Sequence, residues 1–461
     1  MMRWMNAVST PWMRMGLLGA AALALSSCAA FETRIETILP FKDKKPTKEI
    51  KEDESRISIL NFEQSLKVSP TLAGVDTFVP TPVPISTWTQ AGGGPTRVVG
   101  NAMATGPLEV LWKRGVVDGS GRYDRLTAQP VVDQGRMFIF DSQQRLYAFD
   151  VRSGDKLWSY EVPSIKGRDK VAIGGGVATS GGRVYITSGF GGVFALDAQS
   201  GQVIWAQETS APMSSAPAVA SGRVFAISDE NEIYAFDTLS GEVLWTYQSL
   251  AESARVATSP APAVFGDTVV APFGSGEVIA IRAESGRDLW VEGLTRAART
   301  NALASINDIA GGVAVSEGTV YAASHSGVMS AIDLRTGTIR WSVPAGSIQT
   351  PYVAGDAVYL VTTDQELVAL NKDTGNAFWI RPLPTYEKPE KKKGRIVWAG
   401  PVMLDGRLVV VSTEGFARVF DAKSGEPVKT IKLGAPAYIS PVVVDESALV
   451  LLDNGDLVAI R

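Results

Sequence analysis

Few residues of this chain have side chains suited to nucleophilic or metal chemistry. The 461 residues include one cysteine, Cys28, and one histidine, His325. The spacing of the residues in the sequence does not rule out a Ser/His/Asp hydrolase. However, His325 lies in a Ser-His-Ser-Gly run that is typical of a turn. One histidine is also too few for a typical histidine-rich zinc site. The sequence therefore predicts no catalytic residue and no metal ligand.

Aspartates recur at one fixed place in the chain instead of clustering. Asp150, Asp197, Asp237, Asp333 and Asp421 each end a small-x-Asp triplet, and a glycine follows each of them four residues later. An aspartate at such a turn accepts hydrogen bonds from backbone N–H groups of the turn. We therefore interpret these residues as turn residues and not as acid–base pairs.

Cys28 follows a segment with the layout of a secretory signal. Two arginines accompany an apolar stretch from Met15 to Leu25, which is too short to span a bilayer. The run Leu25-Ser26-Ser27-Cys28 resembles the bacterial lipobox, which implies a lipoprotein signal peptide at 1–27 and lipidation of Cys28. Ala29 in place of Asp implies sorting to the outer membrane. A buried cysteine in an ordinary signal is the alternative.

The elements that must position these residues repeat eight times. Each repeat opens with Pro or Gly and reaches a small-x-polar triplet 20 or 21 residues later. Six triplets are followed eight residues later by tryptophan. The triplets begin at Ala148, Ala195, Ala235, Ala280, Ala331, Ala369, Val419 and Ala459. Short strands without helical spacing predict four-stranded blades that bury their faces against neighbouring blades.

The two ends of the repeat array complement each other. Val110-Leu111-Trp112 is a tryptophan strand without a preceding triplet, and Leu457–Arg461 is a triplet without a tryptophan strand. Pairing them would complete the last blade and remove two open edges. We therefore predict an all-β, eight-bladed β-propeller of four-stranded antiparallel blades over 87–461, with the ring closed by the N- and C-terminal strands.

Residues 28–86 lack the blade periodicity. Prolines and charges of both signs are frequent there, so the segment cannot bury enough surface to order itself. We predict a lipidated N-terminus followed by a mostly flexible tether. The net charge of −4 and the pI near 5.4 give no reason to expect a nucleic-acid partner.

Loop length indicates a binding face. The stretch from each tryptophan position to the next Pro or Gly varies from 10 to 22 residues, and insertions in repeat proteins map to one face, often the binding face. The long stretches are Trp245–Pro262, Trp290–Gly312 and Trp379–Pro401. The third contains the basic run Lys388–Arg395, which we interpret as a solvated insertion, with contact to an acidic partner as the alternative.

The repeat resembles that of pyrroloquinoline-quinone (PQQ) propellers, A-x-D-x-x-[ST]-G-x-x-x-W, which Ala195 to Trp205 matches throughout. The resemblance raises the hypothesis of a PQQ-dependent periplasmic oxidoreductase. Such enzymes are longer and carry a vicinal cysteine pair over the quinone and a Ca²⁺ site beside a catalytic aspartate. This chain has one cysteine and short blades. We therefore predict no cofactor and keep the oxidoreductase as the alternative.

An outer-membrane lipobox, a tether and a compact PQQ-like propeller together resemble the BamB family, over about residues 95–461. The resemblance implies a non-catalytic scaffold of the β-barrel assembly (BAM) complex, lipid-anchored to the outer membrane and facing the periplasm. The implied partners are the POTRA domains of BamA, other BAM components, and nascent outer-membrane proteins whose folding and insertion it assists. A generic periplasmic ligand- or peptidoglycan-binding propeller is a further alternative.

The resemblance also suggests binding residues. The leucine-rich, Arg-containing loop of the family corresponds here to a stretch that holds Leu250, Arg255 and Val256. The next loop carries two aspartates in the family and only Asp308 here. The resemblance therefore implies that these four residues contact BamA, and they fall in or beside two of the long insertions.

Overall fold

The structure, a computed structural model, describes residues 65–164, 172–213, 215–250, 260–294 and 308–461. This part of the chain contains 34 strands, which form eight four-stranded antiparallel sheets and one two-stranded hairpin. The inner strands of successive sheets contact each other around a ring. The predicted eight-bladed, all-β propeller is therefore confirmed. None of the described segments forms a helix of the length and apolar character needed to cross a bilayer.

The first four blades follow one another along the chain, each running from its inner to its outer strand. Blade 1 is β2 (Val131–Asp133), β3 (Arg136–Phe140), β4 (Arg145–Asp150) and β5 (Lys156–Glu161). Blade 2 is β6 (Gly175–Ser180), β7 (Arg183–Ser188), β8 (Val193–Asp197) and β9 (Val203–Gln207). Blade 3 is β10 (Ala218–Ala220), β11 (Arg223–Ile227), β12 (Glu232–Asp237) and β13 (Val243–Gln248). Blade 4 is β14 (Ala263–Phe265), β15 (Thr268–Pro272), β16 (Glu277–Arg282) and β17 (Asp288–Gly293).

The other four blades complete the ring. Blade 5 is β18 (Ala314–Ser316), β19 (Thr319–Ala323), β20 (Met329–Asp333) and β21 (Ile339–Val343). Blade 6 is β22 (Tyr352–Ala354), β23 (Ala357–Val361), β24 (Glu366–Asn371) and β25 (Ala377–Pro382). Blade 7 is β28 (Trp398–Leu404), β29 (Arg407–Ser412), β30 (Phe416–Asp421) and β31 (Pro427–Lys432). Blade 8 is β32 (Val442–Val444), β33 (Ser447–Leu451), β34 (Asp456–Ile460) and β1 (Val110–Gly115).

Blade 8 is built from both ends of the array, as the sequence predicts. Its outer strand β1 pairs antiparallel with β34, with Trp112 opposite Ala459 and a register shift between Val110 and Trp112. Blade 1 has the same arrangement, since Trp158 lies opposite Ala148 and the register shifts just after it. The closing strand therefore occupies the position that an ordinary fourth strand occupies.

The repeated aspartates close the hairpin between the third and fourth strands. The Asp150 Oδ1 accepts hydrogen bonds from the backbone N–H groups of Ser153 (2.8 Å) and Arg152 (2.9 Å). These bonds, that from Ser153 first, favour the ionised form and lower the pKa of Asp150. Equivalent pairs of bonds form at Asp197, Asp237 and Asp333. The interpretation of these residues as turn residues is confirmed by this geometry.

Six tryptophans each pack against the following blade, at the six junctions from blades 1 and 2 to blades 6 and 7. The Trp205 Nε1 donates a hydrogen bond to the Thr238 carbonyl oxygen of the next blade (3.1 Å). The indole lies against the hairpin glycine of that blade, because a Cβ placed on Gly241 would lie 2.5 Å from the ring. The other pairs that share this contact are Trp158–Gly201, Trp245–Gly286, Trp290–Gly337, Trp341–Gly375 and Trp379–Gly425. The tryptophans are therefore packing residues between blades.

The ring has two faces with different connections. One face, the connecting-loop face, bears the loops from each outer strand to the next inner strand and the turns between second and third strands. The other, the hairpin face, bears the turns between first and second and between third and fourth strands. This division follows from the antiparallel order of the strands within each blade.

Residues 65–86 differ from the sequence analysis, which assigned them to a flexible tether. The Ser69 N–H donates to the Ala377 carbonyl oxygen (3.0 Å) and the Thr77 N–H to the Lys423 carbonyl oxygen (3.3 Å). The Phe78 N–H donates to the Asp356 Oδ1 (2.8 Å). These partners lie on the hairpin face of blades 6 and 7. The segment is ordered by hydrogen bonds to the ring and not by a periodic pattern of its own, so periodicity could not reveal it.

Residues 85–102 cross the centre of the ring, and we call them the channel segment. Trp88 exchanges two backbone hydrogen bonds with Val132 of blade 1, at 2.7 and 2.8 Å. Backbone or side-chain hydrogen bonds then join the segment to the inner-strand region of every other blade, through Thr179, Val219, Val264, Val315, Tyr352, Met403 and Asp445 in blades 2 to 8. One segment thus contacts all eight blades.

Candidate functional site

The loop that follows blade 3 begins on the connecting-loop face with an exposed leucine. Leu250 lies two residues after the end of β13, and its side chain is 67% exposed. The Asn231 Nδ2 donates to the Leu250 carbonyl oxygen (2.6 Å), while the Asn231 Oδ1 accepts a hydrogen bond from the Gly274 N–H (3.1 Å) of blade 4. Because Asn231 is fully buried, it fixes the start of this loop to two adjacent blades.

Two of the four predicted contact residues, Arg255 and Val256, lie outside the described residues. The predicted contact at these positions therefore stays a prediction. The described residues on either side of them are Leu250 and Pro260, and Pro260 lies three residues before the inner strand β14.

The fourth predicted residue, Asp308, is buried, with 1% of its surface exposed. Its carbonyl oxygen accepts a hydrogen bond from the His325 N–H (2.9 Å), which joins it to the turn between β19 and β20. In this position Asp308 shapes the base of the loop after blade 4 and does not project from the face. The sequence pattern gave no sign of this burial.

His325 lies in the turn Ser324–Gly327, where the sequence analysis placed it. The hydroxyls of Ser324 and Ser326 are hydrogen-bonded to each other (2.9 Å). The His325 Nδ1 is buried and bonds to no hydroxyl or carboxylate in the described part of the chain. This arrangement lacks the oriented base that a Ser/His/Asp site needs.

The basic run forms an ordered hairpin on the connecting-loop face. Strands β26 (Tyr386–Lys388) and β27 (Lys393–Arg395) pair across a 3-10 turn, Pro389–Lys391. All of the basic side chains in it are exposed. Its base is fixed by Trp398, whose Nε1 donates to the Pro384 carbonyl oxygen (2.9 Å). The face therefore presents a cluster of cations between blades 6 and 7.

A cavity of about 160 Å³ lies at the centre of the ring, lined by the channel segment and by residues at the starts of inner strands. Its lining includes Arg97, Gln129, Gln349 and Thr350, and no carboxylate, thiol or imidazole is among the described residues that line it. Within the described ranges no three His, Cys, Asp or Glu side chains come together in a way that could hold a metal ion. The residues present therefore do not fit a quinone with an adjacent Ca²⁺.

The sequence analysis missed this cavity and the residues that line it. No motif distinguished Arg97 from the other arginines of the chain. Arg97 is placed by the path of the channel segment, which has no repeat and no period.

Comparison with protein families matches the model described as "Outer membrane protein assembly factor BamB" over residues 85–173 and 165–381. A relative of that name from Salmonella typhimurium is 30% identical over 355 residues, covering 76% of this chain and 88% of the relative. The protein of that name from Escherichia coli K12 is 29% identical over 354 residues, with the same coverage of 76% and 88%.

Solved structures share the fold. The crystal structure of BamB from Moraxella catarrhalis aligns with a TM-score of 0.64 and 20% identity, covering 77% of this chain and 99% of that one. A europium-containing methanol dehydrogenase aligns with the same TM-score of 0.64 but 14% identity, covering 80% of this chain and 89% of that one. At these identities the structural alignments support the propeller fold alone, so the relationship rests on the sequence matches.

Proposed function

Because this chain belongs to the BamB family of outer membrane protein assembly factors, we propose that it is a non-catalytic scaffold of the BAM complex. In this proposal it binds the POTRA domains of BamA and assists the folding and insertion of outer-membrane proteins. The observation that carries the proposal is the extent of the sequence match, which covers most of the ring and nearly the full length of the relatives.

We place the contact with BamA on the connecting-loop face. Leu250 is exposed there, and the loop that begins at it contains Arg255 and Val256. An arginine beside apolar side chains suits an interface, where Arg is a common anchor. Residues 65–80 bond to the hairpin face, so this part of the chain does not compete for the loops. Asp308, being buried, would act through the position of the adjacent loop.

The proposal includes a lipid anchor on Cys28, with the signal peptide 1–27 removed. The support is the lipobox-like run and the family membership. Acylation at this cysteine would hold the propeller at the periplasmic side of the outer membrane, because several acyl chains give stable anchoring. Metabolic labelling with palmitate tests this, since a Cys28→Ala chain should lose the label and the outer-membrane fraction. Retention of both in that variant would contradict the anchor.

Binding to a purified BamA POTRA fragment tests the function and the face together. We expect the full chain, purified in detergent, to bind saturably and Arg255→Glu to weaken binding by about tenfold or more, since loss of an interface anchor costs about 2 kcal/mol or more. The matched control is Arg335→Glu, a charge reversal at an exposed hairpin-face residue.

The outcomes of this experiment separate the function from the site. Equal weakening by Arg255→Glu and Arg335→Glu would contradict the face, because the effect would then follow net charge. If Arg255→Glu binds as tightly as the wild type, BamA would still be the partner, but the contact would lie elsewhere on the protein. No binding by the wild-type protein would remove the BamA proposal.

The oxidoreductase and cell-wall alternatives are decided by two direct assays. The oxidoreductase requires PQQ absorbance and dye reduction after the protein is incubated with PQQ and Ca²⁺. No acidic residue is among the described residues that line the cavity, which argues against it. A peptidoglycan-binding propeller requires co-sedimentation with purified cell wall. A positive result in either assay, without BamA binding, would replace the proposed function.

A further inference from the structure

The central cavity has the properties of a binding site that the proposed scaffold function does not use. Its volume is about 160 Å³, well above the roughly 10–15 Å³ by this measure that one water requires. It lies among residues from several blades, including Gln349, Tyr438 and Ser440, and the channel segment contributes Trp88 and Arg97 to its wall. A ligand here would contact the ring and the channel segment at once.

Arg97 brings a buried positive charge to this cavity. The residue is 4% exposed, and its Nε and Nη2 donate to the Pro262 carbonyl oxygen at 3.1 and 2.6 Å. Its Nη1 donates to the Ala91 carbonyl oxygen. These three bonds leave two of the five N–H donors of a guanidinium for other acceptors. No carboxylate forms an ion pair with Arg97 in the described ranges.

The charge on Arg97 persists despite its burial. Desolvation lowers the pKa of Arg97 to about 9, so the guanidinium is still protonated at neutral pH. A buried cation is normally paired with an anion, because removing a charge from water is unfavourable unless an opposite charge compensates for it. Carbonyl dipoles compensate only in part.

Trp88 forms another part of the cavity wall through its indole ring. The side chain is 2% exposed, and its Nε1 has essentially no accessible surface and no hydrogen-bond acceptor in the described part of the chain. The indole N–H is therefore enclosed by protein and does not face the cavity. Trp88 and Arg97 are both in the wall of the same cavity.

The rest of the lining is rich in donors and free of negative charge. Gln349, Thr350, Tyr438 and Ser440 carry amide or hydroxyl donors, and no acidic side chain is among the described residues that line the cavity. A cation and neutral donors together favour an acceptor-only ligand. Charge-assisted hydrogen bonds to oxyanions are the strongest contacts that such a set can make.

We propose that the central cavity binds a small oxyanion of carboxylate or phosphate chemistry, with the Arg97 guanidinium as its principal donor. The bound anion would neutralise Arg97 and fasten the channel segment to the ring. The site is independent of the BamA contact, since it lies in the channel and not on the loops.

Isothermal titration and thermal unfolding of the full chain in detergent test the proposal. The probes are sodium phosphate and sodium acetate, with sodium chloride at equal ionic strength as the reference. We expect saturable binding of at least one oxyanion and a midpoint of unfolding that rises with its concentration, because a ligand that binds only the folded state stabilises it. Phosphate alone or acetate alone would identify the chemistry.

Two variants of Arg97 locate the site. Arg97→Gln removes the positive charge, so we expect it to lose most of the anion binding. Arg97→Lys keeps the charge and removes the planar fork, and we expect its dissociation constant to rise by about tenfold or more. Arg395→Gln, which removes one exposed positive charge from the basic hairpin, is the control and should bind as the wild type does.

Three results would overturn the proposal. The first is the absence of any stabilisation or heat beyond the chloride reference. The second is unchanged affinity in Arg97→Gln, which would mean that the anion binds elsewhere. The third is equal weakening in Arg395→Gln, which would show that the effect follows overall charge. If Arg97→Lys fails to fold, Arg97→Gln decides, and if neither variant folds, the titration of the wild type against chloride decides.

Discussion

At the residue scale, the repeat is held together by a contact between a tryptophan and a glycine of adjacent blades. The Trp205 ring packs where a side chain on Gly241 would be, and its Nε1 is bonded to the neighbouring carbonyl of Thr238. The aspartate of the same hairpin, Asp237, accepts two backbone N–H groups and so fixes the turn that carries the glycine. The Asp, Gly and Trp positions of the repeat are thus parts of one packing unit.

Substitution of the hairpin glycine should therefore be more damaging than the backbone conformation alone explains. Gly241 has φ +75, and a Cβ there would lie 2.5 Å from the Trp205 ring. Gly222 has nearly the same φ, +72, with no heavy atom within 4 Å of its added Cβ. We expect Gly222→Ala to cost about 1 kcal/mol and Gly241→Ala about 3 kcal/mol or more. Equal losses of unfolding free energy in urea would contradict the packing explanation.

The hairpin aspartate of blade 5 should make stability depend on pH in acid. A side-chain hydrogen bond from Arg340 (2.7 Å), and then one from Thr336, lower the pKa of Asp333 to about 2. Because the folded value lies below the unfolded value of about 3.9, the stabilisation is complete above about pH 4 and is lost as the pH falls toward 2.

The measurement is the free energy of unfolding between pH 5 and about pH 2. We expect the advantage of the wild-type protein over Asp333→Asn to shrink across this window. Arg340→Gln removes the largest cause of the shift, so its loss of stability should begin closer to pH 4. A constant difference between wild type and Asp333→Asn down to pH 2 would be inconsistent with the lowered pKa.

At the scale of the elements, the outer strands of the blades expose apolar side chains at a free edge. Val203 and Ile204 in β9, and Val243 and Leu244 in β13, are each more than two-fifths exposed. In β9 and in β13 only one neighbouring strand is paired, so the other edge of each presents unpaired backbone groups. An extended segment of another chain can add to such an edge.

We predict that these edges hold nascent β-segments temporarily during outer-membrane protein assembly. The double variant Ile204→Lys with Leu244→Lys places charges on two neighbouring edges and should lower the levels of outer-membrane proteins in cells, because charged edges oppose strand addition. Leu239→Lys is the matched control, since Leu239 is an exposed leucine in a hairpin turn. Unchanged outer-membrane protein levels in a stably folded double variant would rule out strand addition at these edges.

At the scale of the whole molecule, the junction between blades 8 and 1, where the ring closes, is packed less tightly than the six junctions at which a tryptophan packs on the next blade. Trp112 occupies the tryptophan position of blade 8 but is 39% exposed, and Gly154 of blade 1 instead faces the Arg114 Nη1, which donates to the Ser153 carbonyl oxygen (2.8 Å). A cleft of about 330 Å³ lies at this seam, lined by Trp112 and Leu449 among others. The other six tryptophans pack on the next blade.

The seam tryptophan should therefore contribute less to stability than a tryptophan within the ring. We expect Trp205→Ala to cost about 3–5 kcal/mol, as for a buried tryptophan, and Trp112→Ala only about 1 kcal/mol. Chemical unfolding of the two variants measures the difference. A loss for Trp112→Ala as large as that for Trp205→Ala would show that the seam is packed as tightly as the other blade junctions.

The sequence by itself determined the eight blades, their closure by Val110–Gly115 on the last blade, and the turn role of the repeated aspartates. These features recur with a fixed spacing, because every blade must solve the same packing problem. Tertiary structure alone decided the path of residues 65–102, the burial of Asp308 and the meeting of Trp88 with Arg97 at the central cavity. Each depends on contacts between residues far apart in the chain, made once and without a period, and such contacts leave no pattern in a single sequence.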